Sequence, residues 1–121
     1  MEFTEVKSFE DACQVLGMSS ELPELGIIQD EKIRKSTAAF IKLSVIIKAL
    51  NEGWEPDWTD WTQYKFYPYF YMDAAGLACA YTNSTVTYTF AEVGSRLGCK
   101  TDAMAEYMKD TFRELYIDLL F

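Results

Sequence analysis

Hydrophobic positions change their spacing along the chain, and the spacing predicts the elements. The stretch from residue 30 to 51, DEKIRKSTAAFIKLSVIIKALN, is apolar around most of a helical circumference between Ala38 and Leu50. A helix with so broad an apolar surface is buried on more than one side. Asp30 suits its N-cap, and Gly53 lies just beyond its end. We predict that this segment is the central helix of the fold.

Two further segments show the helical spacing. Ser8 and Asp11 form a weak capping box at the start of a helix that reaches about Leu16, where Gly17 ends it. Thr101 caps a last helix over residues 101–120. In the central and last helices we expect these side chains to be mostly buried: Phe40, Val45, Ile47, Leu50, Phe112, Leu115 and Leu119.

Between Tyr64 and Phe90 the period is two, which is typical of strands. The segment YKFYPYFYM (residues 64–72) places Phe66, Pro68, Phe70 and Met72 on one face and three tyrosines on the other, Tyr67, Tyr69 and Tyr71. Proline at position 68 cannot donate a ladder hydrogen bond, so it predicts an edge or a bulge.

Two or three more short strands are predicted after this one. Residues 77–82 form the second, a tight turn follows at Asn83 and Ser84, and residues 85–90 form the third. Residues 96–99 are a candidate for a short fourth strand. The order of elements predicts the α+β class: a single domain over residues 1–121 with helices on one face of a three- to four-stranded antiparallel sheet.

Charge narrows the range of partners. The 121 residues carry a net charge of −8, yet residues 32–50 hold five bases and no acid. We expect the acidic segments on either side to neutralise this basic helix internally. Nucleic acid is not an expected partner of so acidic a chain, because binding to a phosphate backbone depends mainly on Lys and Arg. No signal peptide or membrane-spanning segment is evident, which predicts a cytoplasmic protein without membrane contact.

The residue types argue against catalysis and against a cofactor. Histidine is absent, and the three cysteines, Cys13, Cys79 and Cys99, are widely spaced. The spacing predicts free thiols in a reducing compartment and no zinc site. Without histidine a serine or cysteine nucleophile lacks its usual base, and no phosphate-binding loop is present. We therefore predict no enzyme, no metal and no catalytic residue.

The segment GWEPDWTDWTQ (residues 53–63) is the strongest candidate for a binding site. It contains Trp54, Trp58 and Trp61 together with Asp57 and Asp60. Tryptophan concentrates at binding hot spots, so the loop predicts an interaction surface or a ring-stacking platform. The alternative is that the tryptophans anchor a turn-rich loop to the core, in which the aspartates form turns.

Tyrosines of the first strand extend this candidate site. Tyr67 and Tyr69 share a face that serves either as a ligand platform or as packing under a helix. If one face of the sheet is uncovered, a second copy of the chain is a further candidate partner.

Four segments of the sequence resemble a known group of proteins. They are similar to small proteins found in phages and mobile elements of Bacteroides-type gut bacteria. The segments are KSFEDACQVLG, KALNEGWEPDW, YKFYPYF and FAEVGSRLGCKTDAMAEYMKDTFRELYIDLL. That family is uncharacterised, so the resemblance implies a setting and no activity.

Two functions from different classes are then open. The first is a small accessory protein of phage or mobile-element origin that binds another protein through the Trp-rich loop or the sheet. The second is a role related to nucleic acid, either as an acidic mimic of DNA that occupies a host nuclease or as a weakly DNA-associated factor.

Overall fold

A computed structural model describes residues 1–60, 62–72, 78–86 and 95–121, with backbone alone for residues 71, 72, 78–86 and 95. Its elements, numbered in chain order, are α1 (Phe9–Leu16), α2 (Glu31–Asn51), β1 (Tyr64–Met72), β2 (Ala78–Val86), α3 (Asp102–Thr111) and α4 (Arg113–Leu120). Short 3-10 turns occur at Phe3–Glu5 and Ser95–Leu97.

The first two helices are where the sequence predicts them. The hydroxyl of Ser8 accepts the Asp11 N–H at 3.0 Å, and the Asp30 carboxylate accepts the Ile33 N–H at 3.0 Å. The helix α1 ends at Gly17 with a φ of 68°, and α2 ends through Glu52 and Gly53 at φ 48° and 87°. Left-handed backbone at these positions suits glycine, and Glu52 adopts it one residue before the predicted stop.

The predicted fold class is wrong. In the described residues the sheet has two antiparallel strands, β1 and β2, where three or four were expected, and helices make up most of the regular structure. The predicted turn at Asn83 and Ser84 does not exist, because both residues lie inside β2 and pair with Tyr67 and Phe66. Nine consecutive cross-strand pairs outweigh the weak strand preference of Asn and Ser.

The predicted third and fourth strands also differ from the structure. Residues 85 and 86 continue β2, and 87–90 lie outside the described residues. Instead of a fourth strand the chain forms the turn Ser95–Leu97 and then a single bridge between Cys99 and Phe66. Pairing stops there because Thr101 caps the next helix by accepting the Met104 N–H at 3.1 Å.

Pro68 occupies the edge position that its missing N–H requires. Phe66 exchanges both of its backbone hydrogen bonds with Cys99, on the side of β1 that faces away from β2. Backbone groups alternate in direction along a strand, so residue 68 also faces away from β2. No bond to β2 is lost there, and the predicted edge placement is confirmed.

The last helix is broken at Phe112, where φ is −116° and ψ is 25°. The helix α3 packs on both strands, whereas α4 packs on α2. One straight helix could not follow both surfaces, so the change of direction serves the packing. The single helix predicted over residues 101–120 is therefore two helices, α3 and α4.

The core joins α2 with α1, α3 and Tyr116 of α4. Ile47, Leu50 and Phe112 are buried as predicted, and Val45, Leu115 and Leu119 are partly buried against them. Phe40 is 37% exposed, so the prediction for this residue is wrong. Cys13 and Cys99 are buried free thiols as expected, and the Cys79 side chain lies outside the described residues. None of the helices in the described residues is both long and apolar enough to cross a membrane.

Candidate functional site

Two successive turns shape the loop of residues 53–63, which we call the Trp loop. Asp57 Oδ1 accepts the backbone N–H of Thr59 at 2.9 Å and its hydroxyl at 2.6 Å. Asp60 Oδ1 makes the same pair of contacts with Thr62 at 2.9 and 2.7 Å. The repeated Asp-Trp-Thr sequence therefore folds as two repeated turns. Hydrogen bonds from the threonines lower the pKa of both carboxyls, as expected when donors favour the charged form.

A buried lysine fixes the Trp loop to β1. Lys65 Nζ donates to the backbone carbonyl of Asp57 at 2.8 Å and lies 4.8 Å from the centre of the Trp58 ring. The Lys65 side chain is fully buried. A cation over an indole face is attracted by the negative π surface. One face of Trp58 is thus used inside the protein, as the anchor interpretation requires.

Burial and charge act in opposite directions on Lys65. Removal from water lowers the pKa of the ammonium group, and the carboxylates of Asp57 and Asp60 partly oppose this change. The carbonyl, the indole and the two acids together offset part of the lost hydration. The same carboxylates that form the turns therefore also help to hold the lysine that anchors the loop.

A groove of about 570 Å³ separates the Trp loop from the C-terminal half of α2. Trp54, Pro56 and Trp58 form one wall, and all three are half-buried. Val45 and Lys48 of α2 contribute to the opposite wall. The volume falls within the range of known ligand sites, and the groove is open to solvent along part of its length.

Charges in the groove differ in sign from the chain as a whole. Lys48 and Arg96 line it and are exposed, and Glu55 is its acid. Of the five bases in α2, Lys35 has an ion pair within the described residues, at 3.6 Å from Asp118. The expected internal neutralisation of the central helix is therefore not found there, and Lys48 stays available.

One buried amide holds the groove floor in place. The Asn51 side chain donates to the Gly98 carbonyl at 3.0 Å and accepts the Lys100 N–H at 3.0 Å. The backbone N–H of Trp54 bonds to the Asn51 carbonyl at 3.0 Å. Asn51 therefore joins the end of α2, the start of the Trp loop and the segment after Arg96.

The structure brings some of the predicted site residues together at the groove. Trp54 and Trp58 line the groove, whereas Asp57 and Asp60 shape the loop beside it. Trp61 lies outside the described residues. Tyr67 is half-buried and Tyr69 is 37% exposed on β1, and neither of them lines the groove.

Sequence reasoning missed the polar members of the site. Lys48 is one of three residues that interrupt the apolar run of α2, and this interruption marks the solvent-facing side. Lys65 shares the strand face of Tyr67 and Tyr69, where a lysine is ordinarily exposed. Nothing local in the sequence indicates that the Trp loop covers it, or that Arg96 faces α2.

Comparisons with protein-family models, with curated proteins and with solved structures give no match for this chain. Within the described part of the chain, no group of three or more Cys, Asp or Glu side chains is placed to hold a metal ion.

Proposed function

We propose that the chain is an accessory protein that binds another protein in the groove between α2 and the Trp loop. The observation that carries the proposal is the wall formed by Trp54, Pro56 and Trp58, whose rings are only half-buried. Partly exposed tryptophans in a concave site are the side chains most often found at binding hot spots.

The rigidity of the loop supports binding over a purely structural role. Asp57, Asp60 and Lys65 hold the loop through contacts of their own, so its shape does not depend on burying every indole. A wall that is already fixed loses little conformational freedom when a partner docks. Trp58 has a double role in this proposal, as an anchor through Lys65 and as part of the wall.

The proposed setting is the one that the resemblance implies, the cytoplasm of a bacterium carrying a phage or mobile element. The free thiols of Cys13 and Cys99 are compatible with that compartment. The alternative function as an acidic DNA mimic has less support, because the groove contributes two cations to a single acid.

Site-specific photocrosslinking tests the proposal. A photoreactive phenylalanine analogue replaces Glu55 in the groove, and in a matched protein it replaces exposed Glu114 on α4. Both proteins are irradiated in an extract of a Bacteroides-type bacterium. We expect one defined protein adduct from position 55 and none from position 114, identified by mass spectrometry.

A second comparison distinguishes binding in the groove from non-specific binding to exposed aromatic residues. Trp54→Ala should remove the adduct, whereas Tyr64→Ala, which changes an aromatic residue 53% exposed and outside the groove, should leave it unchanged. Unfolding in urea verifies that both variants remain folded. An adduct that forms equally from positions 55 and 114, or that survives Trp54→Ala, would contradict the proposed site.

A further inference from the structure

We propose that the groove recognises an acidic, extended peptide segment of the partner protein. A carboxylate of that segment binds between Lys48 and Arg96, and a neighbouring apolar side chain packs on Trp54 and Pro56. This inference rests on the proposed function and adds the chemistry of the partner.

Charge complementarity is the first argument. Lys48 comes from α2 and Arg96 from the turn Ser95–Leu97, so the two cations approach the groove from different elements. Both are exposed, and neither has an ion pair with any described residue. Two cations that line one groove and have no ion pair with a described residue favour an anionic ligand, although the chain has a net charge of −8.

The acids of the Trp loop do not cancel this preference. Asp57 and Asp60 each accept two hydrogen bonds from a threonine, and neither residue lines the groove. Glu55 is the acid that lines the groove, where two cations, Lys48 and Arg96, outnumber it. We expect Glu55 to disfavour a carboxylate on its own side and so to fix the direction of the segment.

The shape and number of charges favour a peptide over nucleic acid. Two cations allow few phosphate contacts, and affinity for nucleic acid grows with their number. The groove is partly open to solvent and has apolar residues next to its charges, which suits a peptide with alternating charged and apolar side chains. The Asn51 side chain donates to the Gly98 carbonyl, two residues after Arg96, so the backbone that carries Arg96 is held against the end of α2.

Binding of matched synthetic peptides tests the inference. The probe is a fluorescein-labelled octapeptide of alternating glutamate and leucine, and its control carries glutamine in place of glutamate. By fluorescence anisotropy we expect the glutamate peptide to bind about tenfold more tightly, the size of a charge-assisted hydrogen bond. Its affinity should fall as salt is added.

Variants assign this preference to the two cations. Lys48→Ala and Arg96→Ala should each weaken the glutamate peptide by about threefold to tenfold and leave the glutamine peptide unchanged. Arg113→Ala, at an exposed cation outside the groove, is the control and should bind like the parent. The double variant Lys48→Glu with Arg96→Glu should instead prefer an octapeptide of alternating lysine and leucine.

Each opposing result overturns the inference. Equal binding of both peptides, or unchanged affinity in both alanine variants, would contradict it. So would the absence of binding to either peptide at millimolar concentration, or tighter binding of a single-stranded DNA octamer. Dimerisation that Trp54→Ala abolishes would make a second copy the occupant, and would also overturn it. Photocrosslinking tests the proposed function separately. An adduct that is lost in Trp54→Ala but kept in Lys48→Ala would support binding in the groove through apolar contacts and contradict the acidic ligand.

Discussion

Three polar side chains in the described part of the protein are buried, and they differ in how far their hydrogen-bonding groups are satisfied. Asn51 has partners for both ends of its amide, and Lys65 has a carbonyl and an indole around its ammonium group. The hydroxyl of Tyr116 is buried and has no hydrogen-bond partner among the described residues. Burial accordingly raises its pKa well above the ordinary value. An unsatisfied buried hydroxyl destabilises a folded protein by about 1–3 kcal/mol.

Tyr116→Phe should therefore leave the free energy of unfolding unchanged or raise it by about 1 kcal/mol. Phenylalanine keeps the stack with Phe70, whose ring centre is 4.9 Å away, and removes only the unpaired hydroxyl. The control is Tyr107→Phe, which deletes a hydroxyl bonded to the Val6 carbonyl at 2.7 Å, and it should lower stability by about 1 kcal/mol. Urea unfolding measures both, and a clear loss in Tyr116→Phe would show that its hydroxyl has a partner.

At the scale of elements, α2 has two faces with different roles. Leu43, Ile46 and Leu50 are buried in the core, whereas Lys48 and Val45 line the groove, and buried Ile47 borders both. The broad apolar surface that predicts burial on several sides includes Phe40, which is 37% exposed. The same helix therefore stabilises the fold and supplies one wall of the candidate site.

A matched pair of substitutions in α2 compares a buried position with an exposed one. Ile47→Ala should lower the free energy of unfolding by about 2–5 kcal/mol, because it removes a large apolar side chain that is buried against the core. Phe40→Ala should lower it much less, because that ring already contacts solvent. Urea unfolding of both proteins checks the expectation, which fails if the two losses are equal or if Phe40→Ala is the larger.

The Trp loop should respond to acid because its turns use carboxylates. The pKa values of Asp57 and Asp60 lie below the ordinary value of 3.8. Groups whose pKa is depressed by folding stabilise the folded state above the unfolded pKa, and that contribution is lost as the pH falls through the folded pKa. We expect the turns to weaken only below about pH 3.8.

Amide signals of Thr59 and Thr62 follow these turns by NMR. Both N–H groups donate to the carboxylates, so their chemical shifts should move as the pH is lowered from 5 to 2. The double variant Asp57→Asn with Asp60→Asn keeps an acceptor oxygen at each position and should lose this pH response. An unchanged response in the variant would assign the titration to other acids.

For the whole molecule, the cysteines report on folding and compartment. The pKa of Cys99 is raised to about 12 by burial, and Cys13 is also buried. A thiolate is the reactive form, so Cys99 should react slowly with a thiol reagent in the folded protein, and burial should keep the reagent from Cys13. After unfolding we expect three thiols per chain, since the sequence contains three cysteines. A titration that finds one would mean a disulfide and an oxidising compartment.

Local chemistry in the sequence determined the features that involve few residues. The caps Ser8, Asp30 and Thr101 and the left-handed Gly17 are where short motifs predict them. The turns at Asp57 and Asp60 also follow from neighbouring residues alone, because each hydrogen bond spans two positions. Period and propensity located β1, and the edge position of Pro68 followed from its missing donor.

Only the tertiary structure decided how these pieces combine. The nine-residue ladder continues through Asn83 and Ser84, and packing against two different surfaces breaks the last helix at Phe112. The groove likewise depends on contacts between residues 47 or more positions apart, such as Asn51 with Gly98. Periodicity reports the local environment of a side chain, whereas register, helix direction and the placement of Lys48 and Arg96 in one groove depend on which distant surfaces pack together.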